Sequence, residues 1–107
     1  MVFPVLPGQR DALVAFANTL MGERRSEYEA SQASVNKESW FVQPTPMGDV
    51  VVIHFEAADI GAVFAGLAES QEPFDVWFRG EVLKTTGVDL ANPPAGLPER
   101  IFHWKRA

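Results

Sequence analysis

Seven residues carry most of the chemistry available to this sequence: Arg24, Tyr28, Trp40, His54, Glu56, Trp77 and Phe78. His54 stands among β-branched and aromatic neighbours in Asp49-Val-Val-Val-Ile-His-Phe-Glu56. An imidazole titrates near neutral pH, so a histidine facing a cavity can take a proton or orient a ligand. On that reading His54 is the general base. On the alternative it is a core histidine bonded to a neighbour. Glu56 lies two residues on and faces the same way on a strand. His54 and Glu56 without a third ligand are too few for a metal site, and His103, the other histidine, falls on a different segment. No metal and no cofactor are expected.

Arg24 offers a planar fork of donors that can clamp a carboxylate or phosphate. It can equally pair with Glu27, Asp59 or Asp75. Tyr28, the single tyrosine, can donate to a ligand carbonyl or pack between helix and sheet with a wet tip. Trp40, Trp77 and Phe78 can wall a pocket for a flat or apolar ligand; core packing uses the same residues. Phosphate-binding glycine loops, Ser-His-Asp signatures and metalloprotease helix motifs are absent from the sequence.

Composition narrows the partners. The chain has 107 residues, 47% of them hydrophobic and 21% charged, with no cysteine. That suits one domain, residues 1–107, with a core large enough to hold without disulfides. Fourteen acidic against nine basic residues give a formal net charge of -5, which disfavours nucleic acid. No apolar run approaches the ~20 residues of a membrane helix, and the opening residues lack a signal-peptide pattern. A cytoplasmic location is the expectation.

The side chains above must be positioned by alternating strands and helices. Val2–Leu6 reads as an edge strand, or as one that pairs on one side only at Pro4. Leu13, Phe16, Ala17 and Leu20 recur at helical spacing, and the stripe continues through Arg24, Tyr28 and Ser31. A first helix of about 20–25 residues follows from that spacing. Glu38–Gln43 and Asp49–Glu56 read as two strands, joined by a loop of about 4–6 residues rich in turn formers. Asp59 caps a second helix carrying Ile60, Val63, Phe64 and Leu67. Pro73 opens a further helix with Phe74, Trp77, Phe78 and Val82, stopped at Gly87. A loop over Asp89–Pro98 leads to a last strand, Ile101–Lys105.

The order β-α-β-β-α-β, with the second helical region split in two, predicts an α+β, ferredoxin-like sandwich with antiparallel sheet order 4-1-3-2. Helices cover one sheet face. Val50, Val52 and His54 make the other face apolar too, so a twin packing sheet to sheet is expected, giving a homodimer.

Several short motifs carry a resemblance. They are Pro7-Gly8 before the first helix, Arg24-Arg25 within it, Glu38-Ser39 before an aromatic strand, Gly48-Asp49, and Ser70-x-x-Pro73-Phe74-Asp75. Together they resemble a small uncharacterised family of the dimeric α/β-barrel superfamily, over nearly the whole chain. The chain departs from it after Arg79-Gly80, where it runs into the proline-rich loop. The resemblance implies the dimeric barrel fold. The wider group spans cofactor-free and heme-degrading monooxygenases, dehydratases and proteins without known activity, so it leaves the function open.

Two functions fit these residues. One is a small-molecule-binding protein or cofactor-independent enzyme, with an apolar or aromatic ligand between sheet and helices. In it His54 is catalytic, and Arg24, Tyr28, Trp40, Glu56, Trp77 and Phe78 bind. The other is a non-catalytic dimeric interaction module, in which the loop Ala91–Pro98 or the acidic surface meets a protein. Neither pattern decides whether the chain is an enzyme.

Overall fold

The computed structural model describes residues 1–92 and 98–107; residues 93–97, the centre of the expected proline-rich loop, lie outside the described residues. The elements are β1 (Val2–Pro4), α1 (Arg10–Met21), α2 (Arg25–Ser31), β2 (Val35–Thr45), β3 (Gly48–Ala57), α3 (Ile60–Glu69) and α4 (Pro73–Thr86).

β3 is the middle of a three-stranded antiparallel sheet ordered β1-β3-β2. Its alternation sends Val51 and Ile53 to the helices and Val50, Val52 and His54 to the other side. Trp40 pairs with Ile53 and Val42 with Val51 across β2–β3, and Phe3 pairs with Val51 across β1–β3. The four helices lie on that inner face only. Leu13, Phe16 and Leu20 of α1, Leu67 of α3, and Phe74, Phe78 and Val82 of α4 close over Phe3 and Val51 in one buried cluster. Each such side chain contributes about 1.5–3 kcal/mol by leaving water. Phe16 sits at the centre of the aromatic packing, 5.4–5.5 Å from the rings of Trp40, Trp77 and Phe78.

Local chemistry sets the ends. Asp59 accepts from the Ala62 amide at 3.0 Å and caps α3. Pro73 begins α4, and Gly87 ends it in the left-handed region at φ 76°. Arg79 donates to the Leu67 and Ser70 carbonyls, both at 2.7 Å, and so satisfies the open end of α3.

The ferredoxin-like sandwich is not formed, and with it the 4-1-3-2 order and the dimeric α/β barrel built on it are set aside. Ile101–Lys105 is no strand and pairs with nothing among the described residues. Ile101, Phe102 and Trp104 are 92%, 81% and 63% exposed. The reason lies in β1. Met1 and Val5 bond to β3 through Ile53 and Asp49, so only Val2 and Pro4 face the outer edge. Pro4 has no N–H to offer, and the Leu6 amide is already given to the Thr85 carbonyl. A fourth strand finds too few partners there.

Two smaller expectations also change. The first helix is broken at Gly22, whose backbone (φ -112°, ψ -105°) leaves the helical region, and α2 starts afresh at Arg25. The β2–β3 connection is only Pro46-Met47, because both strands extend further than their apolar residues. Gly48 at φ 116° and the Thr45 hydroxyl, donating to the Gly48 carbonyl at 2.6 Å, close it. No helix among the described residues is long and apolar enough to cross a membrane.

Candidate functional site

The space between sheet and helices holds a cavity of about 50 Å³, lined by Phe3, Phe16, Trp40, Ile53, Phe64 and Phe78 among others. Its lining is apolar almost throughout. Its polar lining residues are Gln32, Thr85, Thr86 and Glu38; Glu38 alone is charged, and it stands at the start of the aromatic part of β2, opposite Phe55.

Glu38 is gripped from two sides. The Tyr28 hydroxyl donates to Oε1 at 2.5 Å, and the Trp40 indole donates from Nε1 to Oε2 at 2.6 Å. A period-two strand puts Trp40 on the same face as Glu38, and α2 brings Tyr28 across from above. Short bonds to a charged acceptor are the strong kind. Burial, reinforced by the carboxylate beside it, pushes the Tyr28 hydroxyl far above the ordinary phenol range, so it remains a donor. A carboxylate has about four acceptor positions, and two are occupied here. The other two are free to receive a ligand N–H or O–H.

A second space adjoins the first. A cleft of about 270 Å³ lies between α2, α3 and α4 and is lined by Ser31, Gln32, Ser34, Ser70 and Asp75 with apolar residues of α3. Gln32, Val63 and Leu67 line both spaces.

The residues singled out from sequence are distributed over three places. Tyr28, Trp40 and Phe78 meet at the cavity. Arg24 and Trp77 meet outside it. The Arg24 guanidinium stacks 4.2 Å from the Trp77 ring centroid and 5.0 Å from that of Phe74, and bonds both Glu27 oxygens at 2.9 and 3.0 Å. That hydrogen bonding holds the Glu27 carboxyl below its usual range. Arg24 thus takes the ion pair with Glu27, because the break at Gly22 re-aims the helix stripe it belonged to. His54 and Glu56 stand on the outer sheet face, exposed, opposite Ser39 and Lys37. Among the described residues no three His, Asp or Glu side chains gather as a metal site would need.

Glu38 was not singled out from sequence. Its signal was its position: an acidic residue two before Trp40 on the face that the strand pattern turns inward. Neither a family model, nor a curated protein, nor a solved structure matches this chain.

Proposed function

We propose that the chain binds a small organic molecule between sheet and helices, with Glu38 as its polar anchor. The observation that carries this is the half-satisfied Glu38 carboxylate on the wall of a largely apolar cavity. Tyr28 and Trp40 fix the carboxylate so that its orientation costs nothing on binding.

Size selects the ligand's shape. The cavity of about 50 Å³ is roughly a third of one that takes benzene, ~150 Å³. Only the end of an alkyl chain fits this space, and the rest of such a chain would extend toward the adjoining cleft. The chain would carry a hydroxyl or N–H at the end that meets Glu38. The reading is one of binding, and it gives His54 no part in the pocket.

The test is a titration with 1-pentanol, followed by amide NMR shifts and Trp fluorescence. Saturable changes mapping to Glu38, Trp40 and Val63, weakened by Glu38→Gln, support the reading. Absence of saturable binding to the native protein sinks it.

A second reading is favoured by the outer sheet face. Val2 and Phe41 are 60% and 59% exposed there, beside half-buried Val50 and Val52. Adjoining apolar side chains on an uncovered face suit a symmetric contact between two copies. Sedimentation of the native chain and of Phe41→Lys addresses it. A dimer that the lysine dissociates supports this reading, and a monomer at millimolar concentration rejects it.

A further inference from the structure

The cleft beside the cavity contains a carboxylate that no cationic side chain pairs with among the described residues. Asp75 is 8% exposed, at the first turn of α4. The Ser31 hydroxyl of α2 donates to one of its oxygens, and the Ser70 hydroxyl donates to the other at 2.5 Å. Three ion pairs occur among the described residues, and Asp75 is in none of them. Arg79, one turn along α4, has its guanidinium engaged by the Leu67 and Ser70 carbonyls. The charge of this buried carboxylate is met by two neutral hydroxyls and the N-terminal end of α4, and no cationic side chain among the described residues completes it.

The surroundings suit an organic cation better than a bare metal ion. The cleft of about 270 Å³ is far roomier than an ion needs. Its other polar groups are the hydroxyls of Ser31, Ser34 and Ser70 and the amide of Gln32. These are neutral, and they can accept the further N–H bonds of an ammonium group. Its remaining walls are apolar: Ala62, Val63 and Leu67 of α3. Val63 and Leu67 also line the cavity that Glu38 bounds.

We propose that Asp75 binds the ammonium end of an aliphatic amine whose chain passes Val63 and Leu67 toward Glu38. The ligand class is then an amino alcohol or alkylammonium, with a donor at each end and an apolar middle. This rests on the small-molecule pocket proposed above and names its substrate class. Two carboxylates, each with acceptor positions unfilled, line two neighbouring spaces that share Gln32, Val63 and Leu67. Such a pocket discriminates against carboxylic acids by repulsion and against neutral alcohols by the unpaired charge at Asp75.

The experiment compares 5-amino-1-pentanol, 1-pentanol and pentanoate by amide NMR titration of the native chain, and repeats it on Asp75→Asn. The expected result is that the amino alcohol binds the native chain at least about tenfold tighter than the alcohol. Pentanoate should not bind, and Asp75→Asn should remove the advantage of the amine over the alcohol. Equal binding of amine and alcohol to the native chain overturns the ammonium site while leaving the pocket standing. Binding of none of the three overturns both. The comparison on native protein needs no variant, so it decides the matter even if Asp75→Asn fails to fold.

Discussion

Removing one oxygen from Tyr28 probes the junction on which the pocket depends. Tyr28→Phe keeps the ring packed between α2 and the sheet and deletes the donor 2.5 Å from Glu38 Oε1. A hydrogen bond to a charged acceptor contributes about 1.5–3 kcal/mol. Tyr28 and Glu38 are only partly buried, and water can enter where the hydroxyl was. The expected loss is therefore about 1–2 kcal/mol. In a domain of this length that lowers the melting temperature by roughly 5–12 °C. Urea unfolding followed by Trp fluorescence measures it, with an unchanged m-value as the check that the fold is intact. Trp40→Phe and the double variant complete a cycle. Because both donors serve one carboxylate, the two losses should fail to add by at least about 0.5 kcal/mol. A Tyr28→Phe loss below about 0.3 kcal/mol, with additive behaviour, would refute the claim that these donors hold Glu38 in place.

Further outcomes follow from the same geometry. Tyr28 is the single tyrosine, so tyrosinate absorbance reports it alone. Its folded pKa lies above the unfolded value of about 10; the stability it contributes is whole below that pH and declines as pH rises beyond it. An alkaline titration should show no tyrosinate until the chain unfolds, and a midpoint near 10 in folded protein would contradict the buried phenol. Gly87→Ala should cost about 1–2 kcal/mol in chemical unfolding. The residue sits at φ 76°, whereas its added Cβ meets Leu6 only at an ordinary 3.4 Å, so the cost is backbone strain. Removing residues 101–107 should change stability by no more than about 0.5 kcal/mol, because those side chains are exposed. A loss of several kcal/mol would restore a structural role to Ile101–Lys105.

The elements themselves were legible wherever one residue type has one physical use. Asp59 capping α3, Pro73 opening α4 and Gly87 closing it are local events, and local chemistry predicts them. The inward and outward sets of β3 follow from alternation alone. What failed depended on partners distant in sequence. Ile101–Lys105 has strand-like residues, but a strand needs an edge, and β1 provides little beyond Val2. The helix stripe through Arg24 assumed one straight axis, and Gly22 ended that axis more than two turns early. At the site, Trp40 and Tyr28 were found as isolated side chains. Glu38 is marked in the sequence only by its place two before Trp40, and a glutamate so placed reads equally well as a solvated strand residue. Its meaning comes from two donors, one of them on another element.

The two-residue Pro46-Met47 connection also bears on how the chain reaches this structure. It makes the β2–β3 ladder a short-range event, whereas β1 reaches β3 only by bringing Phe3 to Val51. Closing that long loop is the entropically expensive step. The hairpin is thus the natural nucleus, and β1 docks late. Substitutions at the hairpin should slow refolding, and substitutions in β1 should chiefly speed unfolding. The first residues of the chain would then be the last to find their place.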